Sequence, residues 1–162
     1  MKTKTIISEI THDDLVDLLS TALTGSYIFG CDYDMSDYRK LENPSDNDSI
    51  EDKLARLLLA GKTIIIFDTL AECEEDFYGS LWHTFDGEHN TMDYMVSLKD
   101  IKNGLQKCID GTFKKTIGCE TEEESYMRRC MVNFMNPESG DFDQPQAESI
   151  MQVIIFGGLI YG

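Results

Sequence analysis

Basic residues are absent from two long stretches of this 162-residue chain. No lysine or arginine lies between Lys62 and Lys99, and none follows Arg129. Over the whole sequence, 14 lysine and arginine residues stand against 30 aspartate and glutamate residues, which gives a formal net charge of −16. Because phosphates and anionic lipids attract positive charge, this composition disfavours extended binding to nucleic acid or to a membrane surface. It favours basic partners, metal ions or simply high solubility.

Paired cysteines, a signal peptide and a membrane span are also lacking. The five cysteines form no Cys-x-x-Cys pair, and an odd number of them cannot all pair within one chain. Residues 1–7 lack the long apolar core of a signal peptide. The apolar run at residues 153–161 contains two glycines and is too short to span a bilayer. The sequence therefore predicts a soluble, cytoplasmic protein whose thiols stay reduced.

Motifs of enzyme active sites are missing as well. The sequence has no Gly-x-Ser-x-Gly elbow, no cysteine within a histidine-bearing motif and no glycine-rich loop that ends in lysine. No dinucleotide-binding fingerprint follows the strand predicted at residues 63–67. These absences favour a protein that is not an enzyme and that binds no cofactor. A hydrolase remains the catalytic alternative, because hydroxyls, thiols and carboxylates are abundant.

One segment resembles the beginning of a calcium-binding loop. Asp32, Asp34 and Ser36 alternate along the chain, so their oxygens could converge on a hard cation. The likeness then ends, because Asp37 occupies the position of the turn glycine and Asn43 that of the bidentate glutamate. We therefore expect a solvated loop here and no calcium site.

A second candidate metal site lies near His83 and His89. Cys73 or Asp86 could add a sulfur or an oxygen ligand for zinc or iron. The spacing of these residues matches no recurring metal-site pattern, and single histidines in acidic loops are usually solvated. The sequence therefore assigns no metal ligands.

The apolar pattern predicts a single α+β domain over residues 1–162. Residues 63–67 are β-branched and apolar, and residues 91–96 alternate between apolar and polar positions, so both segments are predicted strands. Helical spacing of apolar residues follows a capping signature or a proline at Thr11, Ser49, Ser97, Thr121 and Pro145. We therefore expect about five helices packed on a small, mainly antiparallel sheet formed around residues 63–67 and 92–96.

The segment between the two predicted strands, residues 69–90, is acidic and rich in aromatic residues, and we call it the acidic excursion. Aromatic rings among carboxylates suit an interface with a basic partner, because the rings supply buried area and the acids pair with arginine. The excursion could equally fold back and complete the core, and the sequence leaves both alternatives open. The predicted partner-binding residues are Glu72, Glu74, Glu75, Asp76, Phe77, Tyr78, Trp82, Phe85, Asp86 and Glu88.

Four segments of the sequence, which we call phrases, resemble those of a known protein family. They are DDLVDLLSTAL at residues 13–23, DYD at residues 32–34, EDKLARLLL at residues 51–59 and FGGLIYG at residues 156–162. In these phrases the chain is similar to a family of small acidic uncharacterised proteins carried by phages and conjugative elements of gut bacteria. The resemblance implies a setting in which small acidic proteins often inhibit host defence systems, some of them by imitating DNA. Carboxylates spread over a rigid surface can occupy a groove that evolved for phosphates.

The leading hypothesis from the sequence is a non-enzymatic, acidic interaction protein that binds and blocks a basic bacterial protein. That partner would handle nucleic acid or serve in defence, with DNA mimicry as one mode of binding. The alternative is a module that sequesters a small molecule such as a nucleotide, or a metal, beneath the acidic excursion. A nucleotide site would need basic side chains to converge in a pocket, and the candidates are Lys99, Lys102, Lys107, Arg128 and Arg129.

Overall fold

The computed structural model describes residues 7–162; residues 1–6, which hold most of the segment assessed for a signal peptide, lie outside the described residues. Its α-helices are α1 (His12–Leu23), α2 (Met35–Arg39), α3 (Ile50–Leu59), α4 (Leu98–Asp110), α5 (Glu120–Phe134) and α6 (Gln144–Phe156). Its strands are β1 (Phe29–Asp32), β2 (Ile64–Asp68), β3 (His83–Asp86) and β4 (Thr91–Val96). The α+β class predicted from the sequence is confirmed. Within the described residues, no helix is long and apolar enough to cross a membrane.

Helices α1, α3 and α4 begin where their capping residues predict. Thr11 accepts a hydrogen bond from the Asp14 N–H at 3.2 Å, and the Asp14 carboxylate accepts one from the Thr11 N–H at 2.8 Å. Ser97 and Asp100 form the same reciprocal pair before α4, and the Ser49 side chain caps α3. These contacts satisfy N–H groups that a first helical turn leaves unpaired, which is why short local signatures locate the helices.

Helix α5 begins slightly earlier than predicted. The sequence pattern indicated Thr121 as its cap, but the helix starts at Glu120 after Cys119, whose side chain makes no capping hydrogen bond. A carboxylate of the first turn reaches back instead, and Glu123 accepts the Thr116 N–H at 2.8 Å. The acids of this segment therefore stabilise the helix start from inside the helix rather than from its cap position.

Helix α2 lies in the segment that resembles a calcium-binding loop. Asp34 caps this helix by accepting hydrogen bonds from the N–H groups of Ser36 at 2.7 Å and Asp37 at 3.2 Å. Hydrogen bonds from Ser36 and Asp37 hold the pKa of Asp34 below its ordinary value. Tyr38 is buried, and its hydroxyl lies 2.5 Å from the Asp48 carboxylate. The expected solvated loop is therefore in part a capped helix, because Tyr38 anchors it to the core.

The four strands form one antiparallel sheet in the order β1-β2-β4-β3. Strands β2 and β4 are the two predicted strands and pair with Ile64 opposite Val96. Strand β3 lies within the acidic excursion and pairs with β4, so that His83 is opposite Tyr94. This edge strand was not predicted, because four residues are too few to show an alternating pattern.

The two faces of the sheet differ in burial. Successive residues of a strand point to opposite faces. The inner face carries Ile64, Ile66, Asp68, Met92, Tyr94 and Val96, all of them buried. It packs on α6, whose Phe156 ring lies 5.6 Å from that of Tyr94, and α6 in turn packs against α1, α4 and α5. On the other side, Ile65, Phe67 and Met95 stay partly exposed. The described helices thus lie mainly on the inner side.

Candidate interaction surface

The acidic excursion divides between the two faces of the sheet. Phe77 folds back to the inner side, where its ring stacks on His83 at a centroid distance of 3.6 Å and lies 6.0 Å from Tyr94. Phe85 lies opposite Met92 in the register and is half-buried. These two predicted partner-binding residues therefore pack against the core of the free protein.

The acids before β3 form an exposed rim beside the edge strand. Glu74–Asp76 make one turn of 3-10 helix. The Asp76 carboxylate accepts hydrogen bonds from two backbone N–H groups, at 2.8 and 3.2 Å, and so holds the turn together. Glu72, Glu74 and Glu75 are exposed, and we call these three residues the acidic rim. Their carboxylates form no ion pair with a lysine or arginine of the described residues.

The outer face of the sheet contains two more of the predicted site residues, Trp82 and Asp86. The register places Asp32, Ile65 and Met95 in one row across three strands. Trp82 continues this row at the sheet edge, because its carbonyl oxygen accepts the Met95 N–H at 2.9 Å. The next residue, His83, points to the inner face, so the Trp82 side chain points to the outer face. The indole is exposed, with 64% of its surface accessible. The outer face consists of Asp32, Ile65, Phe67, Trp82, Thr84, Asp86, Thr91, Asp93 and Met95.

A shallow hollow of about 360 Å³ lies on the outer face. It is lined by Asp32, Ile65, Phe67, Asp86, His89, Thr91 and Asp93. Its floor is apolar and its charged groups are three aspartates and one histidine. The floor is fixed from below, because the Phe67 ring lies against the backbone of Gly30, where a Cβ atom would come within 2.1 Å of the ring. The hollow is therefore built on strands rather than on a mobile loop.

One of the three aspartates is paired with a histidine. His89 Nδ1 lies 2.7 Å from the Asp86 carboxylate, which also accepts the N–H groups of Glu88 at 3.0 Å and of His89 at 3.3 Å. The hydrogen bond from His89 holds the pKa of Asp86 below its ordinary value, and the same bond raises the pKa of His89. Asp86 thus remains a carboxylate near neutral pH, and Glu88 lies exposed in the same turn.

The other two aspartates, Asp32 and Asp93, pair with no lysine or arginine of the part of the chain that the structure describes. Asp32 accepts the N–H of the next residue at 2.8 Å, and Asp93 accepts the Thr91 hydroxyl at 2.8 Å. Among the described residues, the carboxylates that pair with lysine or arginine are those of Asp37, Asp48 and Glu124. The negative charge of the outer face is therefore not compensated by a lysine or arginine within the described chain.

Sequence reasoning found only part of this surface. Trp82 and Asp86 were predicted, whereas Asp32 was interpreted as part of a calcium-like loop and Asp93 was not selected as a site residue. The signal was present in the alternation of β4, in which Asp93 and Met95 interrupt the buried positions. This alternation alone could not assign Asp93 to a binding surface, because it does not reveal which face of the sheet the helices cover.

The candidate metal ligands are not brought together. Asp34 is engaged as a helix cap, His83 is stacked under Phe77, and His89 is bonded to Asp86. In residues 7–162, no three histidine, cysteine, aspartate or glutamate side chains are placed to hold a metal ion.

A buried polar cluster lies at the end of β2. Asp68 is fully buried and accepts hydrogen bonds from the Tyr161 hydroxyl at 2.6 Å and the Leu70 N–H at 2.9 Å. The Tyr94 hydroxyl is buried and has no hydrogen-bond partner in the described chain. Burial raises the pKa of both tyrosines, with Asp68 adding to the effect. Phenols of this kind stay protonated at neutral pH, so Tyr161 serves Asp68 as a donor and ties residues 159–161 to the sheet.

Comparison with models of protein families, with curated proteins and with solved structures finds no match to this chain.

Proposed function

We propose that this protein is a non-enzymatic interaction protein that binds a basic surface of another protein through the outer face of its sheet. The observation that carries the proposal is the exposed indole of Trp82 in one row with Met95, Ile65 and Asp32. Tryptophan is among the residues that contribute most to binding energy in protein interfaces. An exposed tryptophan on a rigid sheet is therefore a strong candidate for an anchor.

The charges around this anchor favour a basic partner. Asp32, Asp86 and Asp93 surround the apolar floor, and no lysine or arginine of residues 7–162 lines the hollow. Arginine and lysine of a partner would find the carboxylates of Asp32 and Asp93 without a lysine or arginine partner from the described chain, and the apolar floor would exclude water from the pairs that form. The acidic rim extends the negative field beyond the sheet edge and would speed the approach of a positively charged protein.

The class of partner is proposed from the chemistry of its binding surface. Proteins that handle nucleic acid carry grooves rich in lysine and arginine, and such a groove would accept carboxylates in place of phosphates. Together with the resemblance to proteins of phages and conjugative elements, this favours a bacterial nucleic-acid-handling or defence protein that is bound and blocked. The proposal places the protein in the cytoplasm, where its five cysteines would remain thiols.

A capture experiment with two matched variants tests the outer face. The test variant is Trp82→Ala with Asp32→Lys. The control is Tyr27→Ala with Asp46→Lys, which makes the same chemical changes at a tyrosine that is 88% exposed and at an exposed aspartate, both outside the outer face. Each protein is tagged and used to capture partners from a nuclease-treated lysate of gut bacteria. We expect the wild type and the control to retain one basic protein that the test variant loses.

Two further measurements sharpen the result. Capture should weaken as salt is raised, since the pairing charges are solvent-accessible before binding. Competition by double-stranded DNA for the captured protein would support the mimicry of DNA. If the test variant and the control capture the same basic protein equally well, the outer face is not the binding surface and the proposal fails. Loss of capture only with Glu74→Lys and Glu75→Lys would assign binding to the acidic rim instead.

A further inference from the structure

A groove lined by lysines runs beneath the acidic excursion, away from the residues of the outer face. It consists of two cavities, of about 620 and about 290 Å³, that share Gly79, Lys114 and Phe156 in their walls. We call the two cavities together the lysine groove. Cavities of this size are within the range that holds small organic ligands.

The larger cavity has an aromatic and aliphatic wall opposed by Lys114, Lys115 and Thr116. Its walls include Phe77, Tyr78, Phe156, Leu159 and Ile160. Tyr78 is 46% exposed and meets the Phe156 ring edge-on at a centroid distance of 6.5 Å. Nearly half of the Tyr78 surface is therefore open to a ligand. A flat ring from a ligand would gain the stacking and buried area that the free protein leaves unused.

The smaller cavity is the polar half of the groove. It includes Lys107, Lys114, Asn103 and Ser80. Asp100 also lines it, but one oxygen of its carboxylate already accepts hydrogen bonds from the backbone and hydroxyl of the residue that caps α4. The residues on this side of the groove therefore include two lysines, an asparagine and a serine, whose side chains can all donate hydrogen bonds.

The two lysines are unpaired in a chain where acids outnumber bases by 30 to 14. Neither Lys107 nor Lys114 forms an ion pair or a side-chain hydrogen bond with a described residue. Lys115, by contrast, donates from its ammonium group to the backbone oxygens of Gly111 and Phe113. The positive charge at this end of the groove is thus available to an anion.

The form of the groove is maintained by tight backbone contacts. Gly79 has a φ of +110°, and a Cβ atom there would meet the carbonyl oxygen of Ile155 at 2.6 Å. On the other side, the Lys114 N–H donates to the Gly157 oxygen at 2.8 Å. The excursion and the segment after α4 are therefore both fixed to the C-terminal end of α6, which keeps the aromatic and the basic halves of the groove side by side.

We propose that the lysine groove binds a small aromatic anion of the nucleoside monophosphate class. The base would lie against Tyr78 in the larger cavity, and the phosphate would lie between Lys107 and Lys114 in the smaller one. Both halves are needed, because two lysines in an acidic protein hold a bare phosphate weakly and the aromatic wall offers no charge. This site is independent of the proposed protein interface, since it shares no residue with the outer face.

Calorimetric titration with AMP, adenosine and inorganic phosphate tests the site. We expect AMP to bind, and adenosine and phosphate to bind at least about tenfold more weakly, since each lacks one of the two recognised parts. The variant Lys107→Gln with Lys114→Gln should weaken AMP binding at least about tenfold. The control variant, Lys99→Gln with Arg39→Gln, removes the same charge from exposed residues outside the groove and should bind AMP as the wild type does.

A second pair of variants tests the aromatic half. Tyr78→Phe keeps the ring and should retain AMP binding, whereas Tyr78→Ala should lose most of it. The proposal is overturned if none of the three compounds binds, or if the control variant weakens AMP binding as much as the groove variant does. The outer-face variant Trp82→Ala with Asp32→Lys should bind AMP as the wild type does. AMP binding by the groove and protein binding by the outer face can therefore each fail without the other.

Discussion

Among the described residues, Asp86 of the outer face forms an ion pair with His89, and this contact responds to pH. The 2.7 Å hydrogen bond raises the pKa of His89 above its ordinary value of 6.5 and lowers that of Asp86 below 3.8. The histidine's contribution to stability is therefore complete below pH 6.5 and is lost as the pH rises through its raised pKa. The contribution of Asp86 is present above pH 3.8 and is lost as the pH falls through its lowered pKa.

We predict that His89 titrates above pH 6.5 in the native protein and returns towards that value when its partner is removed. The measurement is an NMR titration of the imidazole signals in the wild type and in Asp86→Asn. The imidazole signals of His12 and His83, neither of which is hydrogen-bonded to Asp86, provide internal controls in the same spectra. A His89 that titrates identically in both proteins would mean that the pair does not form in solution.

Gly79 holds the acidic excursion, as one structural element, against the C-terminal end of α6. Its φ of +110° disfavours other residues, and its closest neighbour is a backbone oxygen of α6 that cannot move aside. The excursion therefore meets α6 backbone to backbone. Phe77, which stacks on His83, provides the second attachment.

We predict that Gly79→Ala destabilises the protein by about 1–3 kcal/mol, since it adds a steric clash to an unfavourable φ. The matched control is Gly118→Ala, where φ is +87° but no atom lies within 4 Å of the new Cβ. It should cost only about 1 kcal/mol. Chemical denaturation of both variants measures the difference. Equal losses of stability would show that the contact with Ile155 is not restrictive.

Elements specified by local contacts could be predicted from the sequence, and those specified by distant contacts could not. The caps at Thr11 and Ser97 act within one helical turn, so their signatures located α1 and α4. Strand β3 depends on pairing with β4, and the lysine groove depends on the meeting of α6 with two separate segments. For a nucleotide pocket beneath the acidic excursion the sequence offered Lys107, which lines the groove, together with Lys99, Lys102, Arg128 and Arg129, which do not. Neither Lys114 nor Asp93 was selected, because their neighbours come from remote parts of the chain.

At the scale of the whole molecule, uncompensated negative charge opposes folding. The formal charge is −16, and few of the described carboxylates are paired with a lysine or arginine. Repulsion among them is strongest when the chain is compact, and salt screens it. The same repulsion that keeps molecules apart in solution therefore reduces the stability of each one.

We predict that the melting temperature rises by several degrees between about 0.02 M and about 0.3 M NaCl, since each kcal/mol moves it by about 2–4 °C for a chain of this size. The rise should level off above this range as the Debye length shortens below about 6 Å. A melting temperature that is constant or falls over this interval would contradict the prediction. A linear rise that continues to high salt would indicate a general salting-out effect instead of charge screening.

The alternation of β4 also has an evolutionary consequence. Positions 92, 94 and 96 are buried in the core, while Asp93 and Met95 point to the outer face. Under the proposed function, selection for a stable fold and selection for a binding partner act on neighbouring codons but on separate side chains. A lineage could exchange the residues at 93 and 95 to follow a changing target and keep its core intact. We expect such a lineage to diversify along this strand at every second residue.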